Sequence, residues 1–319
     1  MIEVKNLTKR YGNHLAVDHL NFTVESGKIY GFLGPNGAGK STTMNIMTGY
    51  LGATEGQVLI DGHDILKEPE EAKKNIGYLP EIPPLYMEMT VLEYLEFAAE
   101  LKGIKKDKRE PQIEEVIRLA KLRDVENRLI QNLSKGYKQR VGLAQAVLGF
   151  PEIIILDEPT AGLDPKQIIE IRELIRKLAK KHTVILSSHI LAEVREVCDY
   201  IMIISGGKLV ASDTTENLEN MMSGKGQIEV EAKASRDEMD HIISRTGKIK
   251  EVKYRTSASG ITTAQIIAKG GEDIREELFL AFSHADVPML TLNQSKTTLE
   301  EIFLELTQGS GNRMIKEEK

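Results

Sequence analysis

The residues best suited to chemistry form a glycine-rich stretch near the N-terminus: Gly34, Pro35, Asn36, Gly37, Ala38, Gly39, Lys40, Ser41 and Thr42. Two glycines separated by four residues and followed by Lys and Ser are typical of a loop that encloses phosphate groups. Glycines let backbone N–H groups approach phosphate oxygens, and a helix that begins in the loop adds partial positive charge. We therefore expect Lys40 to contact the β- and γ-phosphates of a nucleotide and Ser41 to ligate Mg²⁺.

A pair of carboxylates follows an apolar run in the middle of the chain. Ile153–Leu156 has the β-branched content of a buried strand, and Asp157 and Glu158 come directly after it. At such a strand end, Asp157 can hold Mg²⁺ directly or through water, while Glu158 can orient and deprotonate an attacking water. Two acids after a strand also occur at helix N-termini, but the phosphate-binding loop upstream favours a P-loop nucleoside triphosphatase.

The composition narrows the class of protein. Of the 319 residues, 41% are hydrophobic and 28% are charged, as in ordinary soluble globular proteins. With 42 basic and 48 acidic residues the net charge is −6, which disfavours a nucleic-acid partner, and none is expected. Cys198 is the single cysteine, so no internal disulfide can form. Apolar runs reach only about five residues, so we expect any membrane role to come through a partner.

Alternating strands and helices must position these residues. A strand is predicted at Ile29–Leu33, directly before the glycine-rich loop, and a helix after Lys40. Ser134 suits the N-cap of a helix that runs to Leu148. Further predicted elements are short strands within 1–30, strands 57–60, Ile76–Leu79, 183–187 and 200–204, and helices within 90–132 and at 166–181 and 190–198. This alternation predicts an α/β fold with a parallel sheet covered by helices.

A change of composition near residue 219 predicts a second domain. The stretch 221–226 contains Gly and Ser and is predicted to be a linker. Beyond it, the pattern predicts a small α+β domain with a strand at 227–232, a helix at 236–245, two strands within 248–268, a helix at 272–284, a strand near 289–293 and a helix at 299–306. We therefore expect a large domain at 1–220, whose helical part covers about 82–132, a small domain at 225–307 and a flexible tail at 308–319.

Three further motifs narrow the nucleoside triphosphatase to one family. The run Leu133-Ser134-Lys135-Gly136-Tyr137-Lys138-Gln139-Arg140 resembles the ABC signature. Residues 157–164 resemble the Walker B strand end followed by the D-loop, and His189, 32 positions after Asp157 (189 − 157), resembles the switch histidine. In this order of motifs, residues 1–220 resemble the ABC ATPases. That resemblance implies a mixed sheet with a RecA-like core, N-terminal antiparallel strands and a helical subdomain.

The resemblance to ABC ATPases also implies roles that spacing alone does not show. Two ATPase domains would face each other head to tail, so that Ser134 and Gly136 of one contact the γ-phosphate of ATP bound to the other. His189 would contact the γ-phosphate of its own chain's ATP, and Tyr11 would stack on adenine. As alternatives, Ser134 can be a simple helix cap, His189 a structural histidine and Tyr11 a surface residue in a turn.

Three residues depart from the usual ABC pattern. Lys135 and Tyr137 replace a Gly and the Gln of the Leu-Ser-Gly-Gly-Gln signature, and Glu81 stands where a Gln normally links Mg²⁺ to the helical region. An ionised Glu81 can accept a hydrogen bond from water or face Mg²⁺, but it cannot donate one. These variants resemble those in the ATPases of type 2 ABC exporters, which move drugs, peptide antibiotics, lipids or polysaccharides. The stretch 296–303 also resembles the C-terminal domain of many such subunits.

The leading hypothesis is therefore an ATP-binding and ATP-hydrolysing exporter subunit at the cytoplasmic face of a membrane. Its expected partners are transmembrane permease subunits, driven through the helical region, and a second copy of the chain or a paralogous ATPase. The expected cofactors are ATP and Mg²⁺. The predicted catalytic residues are Lys40, Glu81, Glu158 and His189, the metal ligands Ser41, Glu81 and Asp157, and the nucleotide-binding residues Tyr11, the loop 34–42, Ser134 and Gly136.

Two other functions stay open at the level of sequence. An ABC ATPase that acts on chromosomes carries a long coiled coil between loop and signature, whereas Lys40 and Ser134 are only 94 positions apart (134 − 40). Ribosome-associated members usually carry two ATPase domains, and this chain shows one phosphate loop. An ATPase that powers a cell-envelope machine without transport is not separated from an exporter. The small domain fits a dimerisation element, a ligand-sensing regulator or simply added interface.

Overall fold

The computed structural model describes residues 1–218, 227–257 and 260–295, together with Phe303. These residues belong to two compact units, which divide between Thr214 and Thr215. The predicted linker 221–226 and tail 308–319 lie outside the described residues, and so does the predicted helix 299–306 apart from Phe303. The assignment of domains to 1–220 and 225–307 therefore stays a prediction.

The first unit contains two sheets. Its strands are β1 (Ile2–Tyr11), β2 (His14–Val24), β3 (Ile29–Leu33), β4 (Glu55–Ile60), β5 (His63–Asp64), β6 (Ile76–Leu79), β7 (Ile153–Leu156), β8 (Thr183–Ser188), β9 (Tyr200–Ser205) and β10 (Lys208–Thr214). The central sheet has the order β10-β9-β3-β8-β7-β6 and is parallel except for β10, which pairs antiparallel with β9. The second sheet, β2-β1-β4-β5, is antiparallel throughout. The predicted α/β class and N-terminal antiparallel strands are confirmed.

The central strands bring the predicted site residues to one edge. β3, β7 and β8 are buried along their full length, as expected for strands covered on both faces. In the parallel register Leu33 pairs with Ser188, and Leu156 pairs with Leu186. The carboxyl ends of these strands therefore lie side by side, which is where ligands bind in open α/β sheets.

In the described residues of the first unit, seven α-helices accompany the two sheets. They are α1 (Lys40–Met47), α2 (Pro69–Lys74), α3 (Val91–Leu101), α4 (Lys106–Leu119), α5 (Lys135–Val147), α6 (Pro165–Leu178) and α7 (Leu191–Val197). α1 lies in the core between the two sheets, where Met44, Ile46 and Met47 are fully buried. Because α1 is buried, the glycine-rich loop that precedes it is held next to the core of the unit.

The helix boundaries differ from the predicted ones at several points. α3 begins at Val91, within the predicted helical stretch 90–132, and a capping box of Thr90 and Glu93 starts the helix. α6 begins one residue early, since Pro165 suits the first helical position, and it ends at Leu178 rather than residue 181. α2 was not predicted, because six mostly polar residues show no helical period.

The second unit contains β11 (Gln227–Ala232), α8 (Arg236–Ser244), β12 (Ile249–Thr256), β13 (Thr262–Ala268), α9 (Arg275–His284) and β14 (Met289–Ser295). The four strands form an antiparallel sheet in the order β12-β13-β11-β14. The β-α-β-β-α-β succession is that of a ferredoxin-like fold. Ile228, Val230, Ala264 and Ile266 form a core with Phe282 of α9. The small α+β unit is as predicted, except that α9 begins at Arg275 rather than residue 272.

A test of this packing is available at Gly77, in the middle of β6. A Cβ atom at Gly77 would lie 2.1 Å from the carbonyl oxygen of Ala146, on α5, which crosses β6 at this point. We expect Gly77→Ala to lower the free energy of unfolding by roughly 1–3 kcal/mol, because the helix must shift. Gly52→Ala, where a Cβ would meet nothing within 4 Å, should change it by less than about 0.5 kcal/mol. Urea denaturation followed by circular dichroism measures both, and equal midpoints would contradict the packing.

Candidate functional site

The glycine-rich loop connects β3 to α1 in a conformation that only glycine adopts easily. Gly37 and Gly39 have φ angles of 80° and 103°, in the left-handed region. At Gly39 a Cβ would also lie 2.5 Å from the carbonyl oxygen of Ala16, so the loop is in close contact with β2. The loop is therefore held by its neighbours with its backbone wrapped around the start of α1.

The ammonium group of Lys40 lies inside this loop. The residue is 6% exposed, and its Nζ donates hydrogen bonds to the carbonyl oxygens of Gly34 at 2.8 Å and Pro35 at 3.3 Å. The same Nζ is 3.5 Å from Oε1 of Glu158. The cation is thus balanced by one carboxylate and two carbonyls at the point where the loop would hold phosphate oxygens.

Asp157 and Glu158 are buried at the carboxyl end of β7, with exposures of 3% and 7%. The hydroxyl of Ser41 donates to Oδ1 of Asp157 at 3.2 Å, and the hydroxyl of Ser187 donates to the same oxygen at 2.5 Å. Ser187 also accepts a hydrogen bond from the backbone N–H of Glu158 at 2.8 Å. This N–H belongs to a residue with φ 46°, a conformation that a non-glycine residue adopts only where its surroundings hold it.

The oxygen atoms of Ser41 and Asp157 suit Mg²⁺. This ion prefers hard oxygen ligands in proteins, and it is usually bound through one or two carboxylates together with phosphate oxygens. Within the described residues no group of three or more His, Cys, Asp or Glu side chains could hold a metal ion. The residues present therefore fit a magnesium ion that shares its coordination with a nucleotide, rather than one held by protein alone.

His189 follows β8, and its ring faces the carboxylate of Glu158. Its Nδ1 is hydrogen-bonded to Oε2 of Glu158 at 3.0 Å, and its side chain is 43% exposed. Glu158 thus contacts Lys40 with one oxygen and His189 with the other.

Tyr78, near Asp157, donates a hydrogen bond from its hydroxyl to Asn45 at 2.9 Å. Burial and the charge of Asp157 raise the pKa of this phenol, so it stays protonated.

One cleft of about 450 Å³ brings most of the predicted site residues together. Its lining consists of Tyr11, His14, Ala16, Asn36, Gly37, Gly39, Lys40, Ser41, Thr42, Glu81, Glu158, Ala161 and His189. Tyr11 is 49% exposed, with Nζ of Lys9 5.4 Å from its ring centre, and Glu81 is exposed at the rim. The lining therefore combines the aromatic ring of Tyr11 with the Lys40 cation and the carboxylates of Glu81 and Glu158.

Comparison with known proteins shows the family of the chain that forms this cleft. The sequence matches the family described as ABC transporter over residues 17–161. It is 35% identical over 311 residues to the bacitracin transport ATP-binding protein BcrA of Bacillus licheniformis, which covers 97% of this chain and 98% of that protein. The chain belongs to the ABC transporter ATP-binding proteins.

Other members of this ABC family agree in sequence and in fold. The lantibiotic transport ATP-binding protein SrtF of Streptococcus pyogenes is 34% identical over 229 residues, 70% of this chain and 97% of that protein. A dimeric structure of a post-hydrolysis state of the ATP-binding cassette MJ0796, bound to ADP and Pi, is 29% identical with a TM-score of 0.61, covering 67% of this chain and 98% of that chain. The first unit therefore has the ABC ATPase fold.

The signature residues of this ABC ATPase do not line its own cleft. Ser134 is the N-cap of α5, and its hydroxyl accepts a hydrogen bond from the N–H of Tyr137 at 3.4 Å. Gly136 is buried, and a Cβ there would lie 2.4 Å from the Gln167 side chain. As the second residue of α5 it has an N–H without an acceptor inside the helix. The capping role of Ser134 is thus present in the single chain.

The two signature variants have partners within the chain. Nζ of Lys135 lies only 2.3 Å from where a Cβ on Gly162 would stand, so the lysine covers the segment after the paired acids. The Tyr137 hydroxyl donates to Asp124, and this hydrogen bond raises the pKa of the phenol. Both substitutions therefore join the signature to neighbouring segments.

Ser187, His14 and Ala16 are part of the site region but were not identified from the sequence. Ser187 has a weak signal, a polar residue at the end of a buried strand, whereas His14 and Ala16 have none. Cys198 is buried, and burial raises the pKa of its thiol. In the described part of the chain, no helix has both the length and the apolar character needed to cross a bilayer.

The structure predicts a specific cost for removing the Ser187 hydroxyl. Ser187→Ala should lower the free energy of unfolding by about 1–3 kcal/mol, because the buried N–H of Glu158 loses its acceptor and Asp157 loses a donor. Ser26→Ala, in an exposed turn, serves as the control and should stay within about 0.5 kcal/mol of wild type. Thermal and urea unfolding of the wild-type protein and the two variants measure this difference. A Ser187→Ala protein as stable as the control would contradict the hydrogen bonds assigned to Ser187.

Proposed function

We propose that this ABC ATPase hydrolyses ATP to drive the export of a substrate through separate membrane subunits. The observation that carries the proposal is the cleft in which Glu158 contacts both Lys40 and His189 at the mouth of the glycine-rich loop. A cation, a base and a phosphate-sized loop in one place fit phosphoryl transfer to water.

Each part of the cleft has a role in binding ATP. The ring of Tyr11 stacks on adenine at the exposed end. The backbone N–H groups of residues 34–42 surround the phosphates, and Lys40 exchanges its carbonyl partners for β- and γ-phosphate oxygens. Since Nζ of Lys40 already lies inside the loop, bound to oxygen atoms of its backbone, little rearrangement is needed for ATP to bind.

Ser41 and Asp157 are the residues that would hold Mg²⁺, and Glu81 would reach it from the rim through water. Bound there, the ion would neutralise part of the phosphate charge. Asp157 is kept in place for this role by the Ser187 hydroxyl at 2.5 Å. Glu81 accepts hydrogen bonds but does not donate when ionised, which suits a water ligand better than a direct contact with phosphate.

Glu158 acts as the general base. Its carboxylate takes a proton from water while the water oxygen bonds to the γ-phosphorus and the bond to the β–γ bridging oxygen breaks, which yields ADP and phosphate. His189, 3.0 Å from Oε2, orients this carboxylate and contacts the γ-phosphate. Most of the rate enhancement then comes from positioning and from charge stabilisation.

A second ATPase domain completes the site. Ser134 and Gly136 stand apart from the cleft of their own chain, and the helix N-terminus at α5 can offer N–H groups to a phosphate. The related cassette MJ0796 forms a dimer with ADP and Pi. We therefore place these two residues on the γ-phosphate of ATP held by the opposite copy, or by a paralogous ATPase.

Export is supported by the relatives, and a membrane partner is supported by the surface beside Glu81. BcrA and SrtF are named for the transport of bacitracin and of a lantibiotic. A second cavity, of about 850 Å³, shares Glu81 with the ATP cleft and is bordered by Tyr50 and Ile82, each 83% exposed. Exposed apolar side chains around a cavity are typical of a protein interface. We place the transmembrane permease subunit here, which puts the chain at the cytoplasmic face of the membrane.

The role of Glu158 is tested by its amide variant. Glu158→Gln should lower kcat for ATP hydrolysis by at least about 100-fold, because the amide cannot accept the proton, while ATP binding measured by equilibrium dialysis is retained. Glu152→Gln, an exposed residue just before β7, should behave like wild type. Activity of Glu158→Gln near the wild-type rate would remove Glu158 as the base.

The composite site is tested by mixing two inactive variants. Lys40→Ala damages the loop, and Ser134→Ala damages the signature. In a mixed dimer one site combines both defects, whereas the other has an intact loop and an intact signature. The mixture should therefore hydrolyse ATP faster than the sum of the separate proteins. A rate equal to that sum would show that Ser134 does not act across the interface.

A further inference from the structure

A buried carboxylate outside the cleft joins two segments of the proposed ATP site. Glu193 lies in the first turn of α7 and is 6% exposed. Its Oε2 accepts a hydrogen bond from the Thr160 hydroxyl at 2.6 Å and another from the Ser188 hydroxyl at 3.0 Å. Thr160 follows Glu158 by two residues, and Ser188 directly precedes His189. One oxygen atom thus links the segments that carry the base and the histidine.

On the histidine side, the link holds the backbone on both sides of His189. The Ser188 hydroxyl donates to Glu193 and at the same time accepts from the N–H of Ile190 at 3.0 Å. A hydroxyl that donates and accepts has a fixed orientation. The Glu193 carboxylate therefore orients the Ser188 hydroxyl and, through it, the N–H of Ile190, while the carbonyl oxygen of Ile190 accepts backbone hydrogen bonds from α7.

On the other side, the link holds the turn that follows the base. The N–H of Ala161 donates to the carbonyl oxygen of Glu158 at 3.1 Å, which closes a turn that contains Thr160. Because the Thr160 hydroxyl is bound to Glu193, this turn cannot move independently of the Ser188 segment. The 3.0 Å contact between Glu158 and His189 is made by side chains that extend from these two tied backbones.

The charge of Glu193 is only partly balanced. An NH2 atom of Arg172 is 4.0 Å from Oε1, while the other arm of this guanidinium is paired with Glu196. Nε of Arg172 is buried and has no hydrogen-bond partner among the described residues. A buried carboxylate in such a pair is weak evidence for a gain in stability, since apolar residues often replace such pairs without loss. Its two hydroxyl donors, one from each segment, point to positioning instead.

We propose that Glu193 is a positioning residue for ATP hydrolysis, which sets the contact between Glu158 and His189 by tying together the Thr160 turn and the Ser188 segment. The inference rests on the function proposed above. Glu193 does not touch ATP, so it acts on the chemical step rather than on binding.

The test compares two glutamates on the same helix, both paired with Arg172. Glu193→Met keeps the length of the side chain but removes the acceptor that the Thr160 and Ser188 hydroxyls share. It should lower kcat roughly 10-fold to 100-fold, because small displacements of reacting groups have effects of that size, with KM for ATP within about 2-fold of wild type. Glu196→Met, at a side chain that is 57% exposed, should keep kcat within about 2-fold of wild type. Equal kcat values for the two variants, or a loss in Glu193→Met that arises only through KM, would overturn the proposal.

A second pair of variants, at Thr160, tests the same link even if Glu193→Met fails to fold. Thr160→Val keeps the shape but removes the donor, and it should lower kcat in the same way. Thr160→Ser restores the hydroxyl and should recover most of the activity, whereas equal rates for the Val and Ser proteins would overturn the proposal. A wild-type chain that binds ATP but does not hydrolyse it would instead contradict the proposed function itself.

Discussion

The burial of two adjacent carboxylates, Asp157 and Glu158, is the constraint on which the rest of the ATP-binding unit depends. A buried charge is costly by several kcal/mol unless hydrogen bonds and an opposite charge compensate it. Here the compensation comes from two separate parts of the chain: Ser41 and Lys40 at the start of α1, and Ser187 and His189 at the end of β8. α1 must therefore begin, and β8 must end, at the right place for the two acids to remain buried.

The parallel sheet meets this constraint through its register. β3 and β8 are neighbours with Leu33 paired to Ser188, and β8 and β7 are neighbours with Leu186 paired to Leu156. The residues that follow β7 therefore lie beside Ser187, and those that follow β3 lead into the loop around Lys40. A shift of one residue in any pair would turn these side chains to the opposite face of the sheet. The same polar contacts that allow burial also place Glu158 next to Lys40 and Asp157 next to Ser41 at one edge of the sheet.

Local sequence determined much of this arrangement. The spacing of Gly34, Gly39 and Lys40 predicted the loop, and the apolar run before Asp157 predicted β7. The order of strands and helices predicted the α/β class. These features depend on residue types within a few positions of one another. By contrast, Ser187 and Glu158 are 29 positions apart. No local pattern indicates that the hydroxyl of Ser187 accepts a hydrogen bond from the backbone N–H of Glu158. Helix α2 was missed because six mostly polar residues carry too little periodic signal.

The central claim is that the cleft is half of an ATP site and that a second copy, or a paralogue, supplies the other half. Sedimentation equilibrium of the Glu158→Gln protein with Mg²⁺ and saturating ATP tests it most directly, because ATP that is bound but not hydrolysed should hold two chains together. The account predicts twice the mass of one chain in ATP and a return to the single-chain mass when ADP replaces ATP. A single-chain mass at ATP concentrations that fill the cleft would contradict a composite site formed by two copies of this chain.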